Sequence, residues 1–150
     1  ILVTGEFRRK CEIIDELSFI IVNADFKLFT DKIQQIEGIS NLEITDNSIR
    51  FKDENSLSIK CFEADETTLA YRLFETTGVE THVEKVKALL PANQNQYATE
   101  TAIYEAAGLS YIEPELREDF NEIVLAQNKQ LPSLITYADL KGTLHNHSTW

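Results

Sequence analysis

Methionine is missing altogether from the 150 residues. A chain that opens Ile1-Leu2-Val3 and closes on Trp150 without one is expected to be a piece of a longer protein. Cysteine is nearly absent: Cys11 and Cys61 are too few to frame a disulfide scaffold, so a reducing, cytoplasmic setting is the expectation. Gly and Pro are scarce at 5 and 3, while Phe and Tyr number 8 and 5, which excludes a disordered or low-complexity chain. No apolar run approaches the roughly 18–20 residues of a membrane span, so no membrane partner is expected. Positive charge is short as well. Fourteen Lys and Arg stand against 25 Asp and Glu, a net charge of −11. That balance argues against a freestanding nucleic-acid binder, which needs clustered cations to neutralise phosphates.

What is present is a 43% hydrophobic chain, enough for one compact domain or two small subdomains sharing a core. Its texture changes near Phe62. Before that point strands dominate. Leu17–Val22 is a near-continuous apolar run suited to a strand buried on both faces. Phe26, Phe29, Ile33 and Ile36 fall at helical spacing, with Gly38 as the stop. Leu42–Thr45 and Ile49–Lys52 flank Asp46-Asn47-Ser48 as a hairpin, and Ser56–Phe62 alternates like a half-buried strand. After Phe62 the pattern is helical: one helix opening at Asp65, a second over Val79–Leu90 after Gly78, and a short third one from Thr99 to Gly108. Pro114 and Pro132 make residues 110–140 read as irregular. Strands first and helices after predict an α+β fold.

Several residues carry chemistry. Gly5-Glu6-Phe7-Arg8-Arg9-Lys10 is a glycine turn followed by cations, and Glu12, Asp15 and Glu16 lead into the next strand. Such a turn offers backbone N–H groups and guanidinium groups to a polyphosphate, with carboxylates beside it for Mg²⁺. The same residues also read as a charge-balanced turn, in which Arg9 pairs with Glu12 or Asp15. His145-x-His147 places two imidazoles on one side of an extended segment, within reach of one metal. His82 reads as a helix-surface residue without an adjacent acid or nucleophile. Cys11 and Cys61 read as small hydrophobes in or beside the sheet.

The basic turn and the strand after it resemble the palm of family X DNA polymerases, in which Gly-Ser-aromatic-Arg-Arg-Gly precedes a strand carrying Asp-x-Asp. Gly5 to Lys10 stand at the first motif, and Glu16 and Ser18 at the Asp-x-Asp positions. Ser58, in Leu57-Ser58-Ile59-Lys60, falls where the family carries its third metal-binding Asp. Thr77-Gly78-Val79-Glu80-Thr81-His82 resembles the turn beside the incoming nucleotide. Glu100 to Glu118 resembles the bacterial branch, in which a polymerase-and-histidinol-phosphatase (PHP) domain comes next in the chain. Leu131–Ile135 is similar to the linker, and Asp139–Trp150 to the opening metal motif of that domain, with Thr143 in place of the usual Asp.

The resemblance implies a nucleotidyltransferase-like palm sheet over residues 1–62 and a helical, thumb-like subdomain over 63–125. A linker over 126–140 and the truncated start of a PHP domain over 141–150 complete the division. It implies DNA and a deoxynucleoside triphosphate (dNTP) as partners, DNA repair as the setting, Mg²⁺ or Mn²⁺ for the palm, and Zn²⁺ or Mn²⁺ for a complete PHP domain. Gly5, Glu6, Arg8, Arg9, Lys10 and Gly78 would meet nucleotide or DNA, joined by Lys85 or Lys87, and His145 and His147 would be PHP metal ligands. Only Glu16 keeps a carboxylate among the three palm positions, and Glu6 stands where a Ser would meet the triphosphate. The expectation is therefore a catalytically inactive palm with a structural or DNA-positioning role. A weak transferase using Glu16 and Asp15, and an acidic protein-interaction module, are the alternatives.

Overall fold

The computed structural model describes residues 1–92 and 96–142. The fold is α+β. Strands β1 (Leu2–Thr4), β2 (Glu16–Val22), β3 (Ser40–Ile44), β4 (Ser48–Lys52) and β5 (Ser58–Ala64) form one mixed sheet in the order β1-β2-β5-β4-β3. The β2–β5 pair is parallel and the other pairs are antiparallel. Helices α1 (Gly5–Arg8) and α2 (Phe26–Ile33) sit within the strand-rich part. Helices α3 (Leu69–Thr77), α4 (Glu80–Lys87), α5 (Glu100–Ala106) and α6 (Glu122–Gln127) come after it, with short 3₁₀ turns at Pro114–Leu116 and Tyr137–Asp139.

Alternation along the strands divides the sheet into two chemically different faces. Phe19 and Ile21 of β2, Ile49 and Phe51 of β4, and Ile59 and Cys61 of β5 pack against Phe26, Phe29 and Ile33 of α2. The intervening residues, Glu16, Ser18, Arg50, Ser58 and Lys60, therefore share the opposite face. Ile20 and Ile21 are both buried, which accounts for the continuous apolar run in β2.

Local chemistry sets the helix ends. The Asp25 carboxylate accepts from the Leu28 N–H at 2.9 Å and starts α2. That helix stops at Ile33, three residues short of the expected Ile36. The Gln35 and Ile36 N–H groups turn back to the carbonyls of Lys32 and Ile33, and Gly38 at φ 86° reverses the chain. Asp65 does not open α3 but caps the turn before it. It accepts from the N–H and hydroxyl groups of Thr67 and Thr68, and these bonds hold its pKa down at about 2.

The helical part has its own core, in which Phe74, Val86, Ile103, Tyr104 and Ile112 are fully buried with Ala126. Strand β5 continues to Ala64, beyond Phe62, and α6 forms where residues 110–140 read as irregular. A six-residue helix has little stability alone, and α6 forms because Ala126 enters the core formed by the preceding helices. The prolines that made residues 110–140 read as irregular flank this helix without entering it. Ile103→Ala is expected to cost about 2–5 kcal/mol by emptying that core, seen as a lower urea midpoint at unchanged slope.

Candidate functional site

Parallel pairing of β2 and β5 sets Glu16 opposite Ser58, and the Ser58 hydroxyl donates to the Glu16 carboxylate at 3.2 Å. Ser18 lies two residues along the same face, opposite Lys60. The three positions singled out from sequence are thus assembled on one sheet face. Glu16 and Ser18 line a cleft of about 520 Å³ between the sheet and helices α3 and α4, together with Lys60 and Arg72.

Arg50 completes this arrangement. It stands opposite Lys60 in the β4–β5 ladder and reaches across β5 to Glu16 on the next strand. Its Nε meets Oε2 at 2.6 Å and its Nη2 donates to Oε1 at 3.3 Å, so one guanidinium holds both carboxylate oxygens. The Glu16 contact raises the Arg50 pKa above its ordinary value, against a smaller opposing effect of burial. Asp15 lies just outside the ladder, which begins at Glu16. Glu6 accepts from the backbone N–H groups of Asp15 and Glu16 at 2.7 and 3.3 Å, fixing the entry to β2.

The donor set does not fit a divalent metal. Of the three sheet positions only Glu16 is a carboxylate, its oxygens are taken by Arg50 and Ser58, and Ser18 and Ser58 offer only neutral hydroxyls, while Glu75, Glu80 and Glu84 line the helical side of the cleft. Among the described residues, no group of three or more His, Cys, Asp or Glu is arranged to hold a metal ion. His145 and His147 lie outside the described residues.

The two arginines of the turn face inward, while Lys10 stays largely exposed. Arg8 donates to both Glu100 oxygens, at 3.0 and 2.5 Å, and to the Thr77 hydroxyl at 2.7 Å. Arg9 pairs with Glu118 at 2.6 Å and donates to the Thr77 carbonyl at 2.7 Å. Its expected partners Glu12 and Asp15 are replaced because α1 points this side chain at the helical part. Lys10 pairs with Glu115 at 2.5 Å, Lys85 with Asp119 at 2.5 Å, and Lys87 with Glu75. Every cation that sequence nominated for DNA already holds a carboxylate.

Behind the turn lies a buried cluster that sequence reasoning did not single out. Arg117 is fully buried and donates to Glu100 at 2.5 Å, to the Ile112 carbonyl at 2.9 Å and to the Tyr111 hydroxyl at 3.2 Å. Burial pushes the Glu100 pKa up, but Arg8 and Arg117 outweigh it and hold the carboxyl below its ordinary range.

His82 corrects another expectation. It is fully buried, and its Nδ1–H donates to Glu122 at 2.6 Å while the Tyr104 hydroxyl donates to Nε2 at 3.0 Å. The acid partner comes from α6, the helix missing from the sequence reading. Cys61 is buried in β5, where desolvation raises its thiol to about 11. Cys11 is half-buried beyond α1, with its thiol 3.6 Å from Glu118.

The two nominated glycines also have structural duties. Gly5 sits at φ 64°, and a Cβ there would stand 3.0 Å from that of Ser18. At Gly78 a Cβ would come within 2.9 Å of the His82 ring, which is fixed at both nitrogens.

No protein-family model matches this chain, and no curated protein matches it.

The glycine contact and the buried histidine each have a measurable consequence. Gly78→Ala is expected to destabilise the fold by about 1–3 kcal/mol in urea titration, because the ring has nowhere to move. Burial lowers the His82 pKa despite Glu122, so the unfolded chain takes up its proton first as the medium acidifies. The stability contributed by neutral His82 is complete above about pH 6.5 and is lost as pH falls below it. Thermal melts of His82→Gln should therefore lose less stability than the parent between about pH 7 and 5.

Proposed function

We propose that the chain is a palm-and-thumb module similar to that of bacterial family X DNA polymerases. In this reading it has given up nucleotidyl transfer and serves as a structural support beside a PHP-type phosphoesterase. Transfer in that family needs carboxylates to hold two Mg²⁺ ions against the triphosphate. The observation that carries the reading is the state of Glu16, the one carboxylate among the three positions, held by Arg50 and Ser58.

Support, rather than DNA positioning, is favoured by the pairing of Arg8, Arg9, Lys10, Lys85 and Lys87 with Glu100, Glu118, Glu115, Asp119 and Glu75. A cation already neutralised by a carboxylate releases few counterions from DNA. Arg8 and Arg9 instead join the first helix to residues on α3, on α5 and near Glu118. His145 and His147 would contribute to a Zn²⁺ or Mn²⁺ site only with ligands from the rest of a PHP domain.

An acidic protein-interaction module is the second reading. Among the described residues eight of the 14 Lys and Arg are engaged in ion pairs, so the acidic excess behind the net charge of −11 dominates the remaining surface.

Primer extension with Mg²⁺ or Mn²⁺ is the test of the first reading, with no incorporation expected. Template-dependent incorporation that disappears in Glu16→Ala would overturn it. In a salt titration of duplex DNA binding, a slope steeper than that of about three phosphate contacts would restore a DNA-positioning role.

A further inference from the structure

We infer that Arg50 is a built-in counter-ion that takes the place of a divalent metal on this sheet face, so that Arg50 itself, and not only the shortage of carboxylates, excludes metal. The inference rests on the proposed function only for the identity of the strand positions that would face a metal. The ladder and the ion pair supply its physical content.

Glu16 and Ser58 are direct partners in a parallel pair, so their side chains emerge side by side from neighbouring strands. A carboxylate needs a positive neighbour here. It lies on a half-buried face, 22% exposed, and the protein supplies that neighbour from β4. The Arg50 guanidinium engages both oxygens, and Ser58 adds a hydrogen bond to Oε2. A hard divalent ion needs those same oxygens. To reach them it must displace a planar, two-point contact and then sit beside the displaced guanidinium.

Lys60 adds to the barrier. It projects from β5 on the same face, directly across from both Ser18 and Arg50 in the two ladders. Its ammonium lies 4.8 Å from the centre of the Phe62 ring and forms no ion pair among the described residues. Arg50 thus meets the carboxylate directly, and Lys60 adds positive charge farther along the same face. Glu43, 3.8 Å from the far side of the Arg50 guanidinium, helps to hold the arginine in place.

The distinction from simple loss of ligands is testable, because a second carboxylate can be supplied without removing the arginine. Mn²⁺ binding is followed by titration calorimetry and by the electron paramagnetic resonance signal of the free ion. Four full-length proteins are compared: the parent, Ser58→Asp, Ser58→Asp with Arg50→Ala, and Ser58→Asp with Arg50→Lys. Each is checked first for a cooperative thermal melt. The parent and Ser58→Asp are expected to bind Mn²⁺ weakly. Ser58→Asp/Arg50→Ala should bind at least about tenfold tighter, and Arg50→Lys should return the affinity towards that of Ser58→Asp.

Equal affinity in Ser58→Asp and Ser58→Asp/Arg50→Ala would overturn the inference, since the arginine would then exclude nothing. Tight Mn²⁺ binding by the parent would overturn it too. If Ser58→Asp/Arg50→Ala fails to melt cooperatively, Glu16→Gln/Arg50→Ala supplies the second arm. The melt of Glu16→Gln/Arg50→Ala should be insensitive to Mn²⁺ and to chelator, whereas Arg50→Ala alone, with Glu16 released, should gain a Mn²⁺-dependent rise in Tm. Absence of that rise counts against the inference. None of these readouts depends on primer extension, so exclusion by Arg50 can fail in the Mn²⁺ titrations while the palm still shows no incorporation.

Discussion

Glu100 is the charge around which the two halves of the molecule assemble. Its carboxylate is nearly buried, and it receives Arg8 from the first helix and Arg117 from the segment after the 3₁₀ turn. A carboxylate in such a place is unfavourable unless its charge and lone pairs are met, and a fully buried guanidinium even more so. Neither arginine can be placed without Glu100, and Glu100 cannot be placed without them. Glu100 and Arg117 pair within the helical part, and Arg8 ties the strand-rich part to that pair. Thr77 extends the cluster, accepting from Arg8 at its hydroxyl and from Arg9 at its carbonyl. Thr4, also fully buried, bonds to the hydroxyls of Thr76 and Thr77.

Among the described residues the same neutralisation recurs at the basic turn and at Glu16. Arg8, Arg9 and Lys10 turn towards carboxylates of the helical part, and Glu16 turns towards Arg50. Glu6, whose charge would repel a triphosphate, binds the backbone at the start of β2. A net charge of −11 leaves many carboxylates for the few cations to meet. Residue types that elsewhere serve an external ligand are here satisfied from within.

Apolar periodicity made strands β2 to β5 and helices α2 to α5 legible in the sequence, because alternation at Ile49, Phe51, Ile59 and Cys61 reports directly which side is buried, whereas the short β1 and α1 gave no such signal. The close approach of Glu16, Ser18 and Ser58 was legible through family resemblance, and register places them on one face. Charge pairing was not legible. Arg50 looked like the polar half of an alternating strand, and nothing local says that it spans β5 to reach Glu16. Arg9 lies nearer in sequence to Glu12 and Asp15 than to Glu118, and only the direction of α1 decides between them. His82 and α6 were missed together. A helix this short depends on tertiary contact, and Glu122, which explains the buried histidine, lies 40 residues away.

The central claim is that the basic turn is a structural tie. A double-mutant cycle on Arg8 and Glu100, measured by urea unfolding with Arg8→Ala, Glu100→Ala and the pair, tests it most directly. The account predicts a coupling energy of at least about 1.5 kcal/mol, as for a hydrogen-bonded charge pair away from water. Coupling within about 0.5 kcal/mol of zero would contradict it, and would leave the arginine free to serve an external anion.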